Sequence, residues 1–138
     1  MTTDHLYATH TLKSPAQFAA HLLEIAGKKG FVAANRAHMD MADTFRSHGA
    51  DVADEFDLHM IQLCKPDKAA DSLQTNPERA ILMPKFVMAF SRDQRTQIRF
   101  HHYCRESICA MVDDAAFPES LAKTYQTIIA MIDEAAAC

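Results

Sequence analysis

The sequence predicts an α+β fold: a two-layer sandwich, with a mixed sheet of about five strands and helices packed mainly on one face. Three observations carry this. Short runs alternate apolar and polar residues, as where Phe56, Leu58 and Met60 are set against Asp57 and His59. Between such runs, apolar residues recur at helical spacing, as in Phe18, Leu22, Ile25 and Ala26. Finally, the alternations of Phe86, Met88 and Phe90 and of Ile98, Phe100 and His102 are separated by a polar turn at Ser91-Arg92-Asp93-Gln94, which makes them an antiparallel hairpin.

The elements follow in order. Leu6 to Leu12 reads as a first strand, with Tyr7 and Thr9 favouring extended backbone. Ser14 caps a helix, Pro15 takes its first position, and Gln17 completes a capping box. Gly30 ends that helix, and Phe31 to Asn35 form a second strand. Met39 to Gly49 turns helical again, with Met41, Phe45 and His48 on one side. Phe56 to Leu63 is the third strand. Pro66 opens a helix, because its missing N–H is no loss in the first turn, and Asp67 favours the same end. Asn76-Pro77 ends it, since a residue before proline avoids the helical region. After the hairpin come a short helix over roughly Arg105 to Val112 and a long one from about Pro118. Leu121, Tyr125, Ile128, Ile129 and Ile132 form the apolar face of the long helix.

Helical connections between strands one, two and three permit parallel as well as antiparallel neighbours. Phe56, Leu58, Met60, Phe86, Met88, Phe90, Ile98 and Phe100 are assigned to the sheet face beneath the helices. Asp57, His59, Ile61, Val87, Ala89, Arg99, His101 and Tyr103 are assigned to the opposite face. The predicted core is Leu22, Ile25, Leu58, Met60, Phe86, Met88, Phe100, Ile128 and Ile132.

Residues 1–138 are read as a single domain, large enough to bury a core without disulfides or metal. Hydrophobic content of 49% excludes a disordered chain, and a net charge of −4 with scattered Lys and Arg argues against a nucleic-acid partner. No apolar run reaches the length of a membrane span, and the first twenty residues hold no apolar signal core. The expectation is a cytoplasmic protein without a membrane partner, its four cysteines reduced.

The densest pattern is Cys64-Lys65-Pro66, then Ala69, Leu73, Asn76-Pro77, Leu82-Met83-Pro84 and Val87. This order resembles the domain of unknown function 302 family of bacteria and archaea, without a gap over this stretch and more weakly over most of the chain. Lys65 stands where the family usually has Asn, Ala80 where Gly is common, and Lys85 where a second Cys often sits. The resemblance implies a small α+β domain, often dimeric, with no established activity.

Cys64 precedes a helix start, where a thiolate or a soft-metal ligand is favoured, and Lys65 adds a positive charge. His59, Arg99 and His101 form a second candidate set, able to hold an anion if they meet across strands. Cys64, His102 and Cys104 are candidate metal ligands. Cys104 and Cys109 stand at borderline metal-ligand spacing. No phosphate-binding loop, nucleophile elbow or carboxylate pair is found, so no catalytic residue and no cofactor is assigned. The reading is a homodimeric ligand-binding module that holds a metal ion, a sulfur species or a small molecule near Cys64. The alternatives are a ligand-free interaction domain and, ranked below it, a thiol enzyme using Cys64. The enzyme ranks lower because no base or resolving thiol stands beside the cysteine in the sequence. Ile61, Val87, Ala89 and Tyr103 are expected to form the dimer face.

Overall fold

The computed structural model describes residues 5–137. Five strands, β1 (Leu6–Thr11), β2 (Val32–Ala33), β3 (Leu58–Cys64), β4 (Phe86–Arg92) and β5 (Arg95–His101), form one sheet in the order β1-β5-β4-β3-β2. The helices are α1 (Pro15–Lys28), α2 (Met41–Ser47), α3 (Pro66–Thr75), α4 (Arg105–Met111) and α5 (Phe117–Ala136). Two 3-10 segments, Arg36–His38 and Pro77–Leu82, went unpredicted.

The two-layer α+β fold is as expected, but the sheet is not mixed: all four pairings are antiparallel. The helical connections only permitted parallel neighbours. β1 instead crosses to pair with β5, and β2 falls on the far edge against β3.

Local chemistry explains the elements. Ser14 accepts a hydrogen bond from the Gln17 N–H while the Gln17 side chain accepts one from the Ser14 N–H, closing the capping box on α1. Asp40, unassigned in the sequence reading, caps α2 by accepting from the N–H groups of Ala42 and Asp43. The β4–β5 hairpin is tighter than the polar stretch implied. Arg92 pairs with Arg95, leaving Asp93 and Gln94 as a two-residue turn with φ of 56° and 63°. Left-handed backbone at both positions matches the twist of the flanking strands.

α1 and α5 pack together over one sheet face, and α4 adds Ile108 and Val112 to the same core. That face carries His59, Ile61 and Leu63 of β3, Val87 and Ala89 of β4, and Thr96, Ile98 and Phe100 of β5. Register places Ile61 opposite Val87 and Ala89 opposite Ile98. Ile61, Val87 and Ala89 are fully buried at 0% exposure. The expected assignment is therefore right for β5 and inverted for β3 and β4. Leu58, Met60, Phe86 and Met88, predicted as core, are only half-buried on the open face, and Ile25 is half-buried on α1. Phe100, Leu22, Ile128 and Ile132 are buried as expected. Each fully buried large apolar side chain contributes about 1.5–3 kcal/mol. The helix-covered face thus holds most of the sheet's contribution to stability.

Candidate functional site

Where β3 ends, the chain turns at Cys64-Lys65 into α3, and Pro66 starts the helix. α3 leans toward α5, and Lys68 Nζ donates to Thr124 Oγ1 at 2.9 Å. Between α3, α5 and the entry to β4 lies a cavity of about 190 Å³. Leu63, Leu73, Met83, Phe117 and Leu121 give it apolar walls, and Cys64 lines it. Among the described residues its charged lining consists of Lys65, Lys68 and Lys85, with no carboxylate and no histidine.

The lysines are held in place. Lys85 follows Pro84, whose ring cannot donate to a ladder and so marks the strand's start. Its ammonium donates to the Met83 carbonyl at 3.0 Å. Burial pushes the Lys85 pKa down to about 8; neighbouring Cys64 opposes the shift and Lys68 adds to it. Lys68 is also lowered, by burial and then by the charges of Lys65 and Lys123. Lys65 lies over the Phe31 ring, 5.6 Å from its centroid. Gly30, at φ +83°, makes the turn into Phe31, and a Cβ there would come within 3.3 Å of the Lys65 side chain. The turn between α1 and β2 therefore favours glycine for its left-handed backbone, while the flexible Lys65 side chain could give way to a Cβ.

The other predicted residues are distributed differently. His59 is buried on the helix-covered face, with Nδ1 3.5 Å from the Asp57 carboxylate and no hydrogen bond from that nitrogen among the described residues. Arg99 is on the open face, donating to the Ile98 carbonyl at 2.9 Å, with its guanidinium over the Phe90 ring. His101 shares the open face, exposed, at the end of β5. The set of His59, Arg99 and His101 is thus split by the sheet. His102 packs its ring against Phe100 and Tyr125. Cys104 contacts His5 and Ser107. Among the described residues no three His, Cys, Asp or Glu side chains form a group able to hold a metal ion, so Cys64, His102 and Cys104 do not assemble into one.

Lys68 and Lys85 were missed as site residues. The available signals were the three-residue spacing of Lys65 and Lys68 on one helix and a lysine set between Pro84 and an apolar strand.

The antiparallel sheet, the paired helices and the cavity at their junction define an α+β domain with a small-molecule-sized pocket. The profile of the family described as "Domain of unknown function DUF302" matches residues 7–135, and the chain belongs to that family. A solved structure described as an uncharacterized conserved protein DUF302 from Bacillus stearothermophilus superposes with a TM-score of 0.75 at 17% identity. The match covers 97% of this chain and 99% of that one, which shows a shared fold. A search of the curated proteins found no match. Among the described residues no helix is long and apolar enough to cross a membrane.

Proposed function

We propose that the chain is a binding module for a small organic anion, taken up in the cavity beside Cys64. The observation that supports this best is the lining: apolar walls, three lysines and, among the described residues, no opposing carboxylate. A half-buried ammonium without an acidic partner is unfavourable in an empty protein and is compensated by an anionic ligand. The ligand's apolar part would rest on Leu73, Phe117 and Leu121, and its charged group would meet Lys85, with Lys65 and Lys68 at the rim. Cys64 gives the site a soft group for a sulfur-bearing anion. A metal ion is disfavoured in this cavity, because among the described residues Cys64 is its sole thiol and no histidine or carboxylate joins it. Residues 1–138 act on this reading as one domain, supported by the length of the family match.

Titration of the protein with hexanoate and with octanoate, followed by amide chemical shifts, tests the site. Shifts should cluster at Cys64–Ser72, Met83–Lys85 and Phe117–Thr124, and Lys85→Met should weaken binding by about tenfold or more, as expected for a lost charged hydrogen bond. Binding should fall as pH rises through about 8, where Lys85 loses its proton. Shifts scattered over the surface, or binding indifferent to Lys85→Met, would reject the proposal.

The expected homodimer needs a different surface, because Ile61, Val87 and Ala89 lie in the core of the chain. We place it on the open sheet face, where Leu58, Met60, Phe86, Met88 and Phe90 are half-buried and adjacent. Such a set on one sheet surface marks an interaction face. Sedimentation of Met88→Glu checks this. A monomeric variant with a dimeric parent supports it, and a monomeric parent at micromolar concentration rejects it.

A further inference from the structure

A second thiol site lies at the end of β5, away from the lysine-lined cavity. His5 Nε2 lies 3.3 Å from Cys104 Sγ, Ser107 Oγ lies 3.4 Å from the same sulfur, and Ser107 Oγ is 3.4 Å from His5 Nε2. The three polar atoms close a triangle. Cys104 and Ser107 are half-buried, and no apolar side chain is needed to explain their meeting. Two rings neighbour the imidazole: His5 sits 5.7 Å from the Tyr103 centroid and 6.5 Å from that of His101. A thiol with a base in hydrogen-bond reach, and that base oriented by further groups, is the arrangement of an activated nucleophile.

We propose that Cys104 is a site of thiol–disulfide exchange with low-molecular-weight disulfides, with His5 as its proton acceptor and donor. The thiol proton passes to His5 Nε2. The Cys104 thiolate then attacks one sulfur of the disulfide, a new S–S bond forms to Cys104, and the original S–S bond breaks. The departing thiolate takes the proton from His5 and leaves as a free thiol. Cys104 is oxidised to the mixed disulfide and one half of the small molecule is reduced, so no further oxidant is required.

The thiol's acidity agrees with this geometry. Hydrogen bonds from Ser107 and His5 bring the Cys104 pKa down to about 7, with smaller contributions from the Ser107 main chain and the His5 charge against a slight opposing effect of burial. Once it has taken the thiol proton, His5 is the positive charge that faces the thiolate. His101 and Tyr103 stand behind His5, and Arg105 and Glu106, next in the chain, are exposed. Cys109 is exposed and, among the described residues, has no histidine or hydroxyl against its sulfur, and Cys64 opens into the lysine cavity.

Treatment of the full chain with oxidised glutathione near neutral pH, followed by peptide mapping, tests the proposal. Cys104 should carry the glutathione adduct well ahead of Cys64 and Cys109. His5→Ala should slow that adduct by about tenfold and move the midpoint of its pH–rate profile upward, toward an ordinary thiol. Cys64→Ser should leave the Cys104 rate unchanged. If His5→Ala perturbs folding, His5→Gln is read instead, since it keeps a polar group but cannot accept the thiol proton as a base. Faster reaction at Cys109, or a Cys104 rate and pH midpoint untouched by both His5 variants, would overturn the proposal.

Discussion

The two faces of the sheet are both apolar, yet they differ in kind. The covered face is built from Ile61, Leu63, Val87, Ala89, Ile98 and Phe100, with His59 and Thr96 among them, all buried beneath α1 and α5. The open face is built from Leu58, Met60, Phe86, Met88 and Phe90, longer or flatter side chains that stay half-buried without a covering layer. Apolar content alone does not distinguish the two. Rigidity does so in part: β-branched Ile61, Val87 and Ile98 suit a close-packed interior, whereas Met60 and Met88 on the open face suit an adaptable contact surface.

Substitutions should separate the faces. Ile61→Asp places an unpaired charge at a fully buried position and is expected to prevent folding, with a loss above about 4 kcal/mol. Met60→Asp, one residue away on the open face, should leave a folded chain by circular dichroism. If both variants fold equally well, the face assignment fails. Phe100→Ala should cost about 3–5 kcal/mol in urea unfolding, against about 1 kcal/mol or less for Phe86→Ala on the open side. A Phe86 loss as large as that of Phe100 would indicate that a partner covers the open face under the conditions of measurement.

Lys85, at the border between β4 and the cavity, carries the next effect. Its folded pKa of about 8 lies below the ordinary 10.5, so the unfolded chain binds the proton more tightly. The penalty is complete below pH 8 and is relieved as pH rises from 8 toward 10.5. Lys85→Met should therefore stabilise the ligand-free protein at pH 7, by up to about 3 kcal/mol. That gain should shrink when parent and variant are compared at pH 9.5. A destabilised variant at pH 7 would mean that the Met83 hydrogen bond outweighs the burial cost. The smallest effect belongs to the hairpin: Gln94→Gly should stabilise by about 0.5–1 kcal/mol, because glycine takes the observed φ of 63° without strain. Thermal unfolding of the variant checks it.

Much of the fold was legible because several elements carry local punctuation. Ser14-Pro15 with Gln17, Gly30, Gly49, Pro66 and Asn76-Pro77 each state a start or stop through backbone chemistry, and the helix boundaries fell close to them. Face choice on β3 and β4 had no such marker. In β3, Leu58 and Met60 compete with Ile61 and Leu63 for the core, and His59 shares parity with the winners, which made that set look solvated. Pairing order was also hidden, since β1 meets β5 through contacts no local pattern can report. At the cavity, Cys64 and Lys65 could be read from the turn into α3. Lys85 stood out as a departure from a family pattern and as a lysine between Pro84 and an apolar strand, but its role depends on α5 arriving from the far end of the sequence. Cys104 was noticed for metal spacing; Ser107 is its neighbour three positions on, but His5 meets it only after β1 has docked.

The docking of β1 on β5 has a kinetic consequence. Arg99 reaches the Thr9 carbonyl across 90 positions of sequence, while β4 and β5 meet through a two-residue turn. The β4–β5 hairpin can close early with a modest loss of chain entropy. The edge strand must wait for a distant partner, whose capture costs more. During refolding, amide protons of Met88 and Ala89 should become protected before those of Tyr7 and Thr9. The His5–Cys104 contact is then among the last features to form, and the reactivity of that thiol would report completion of the fold.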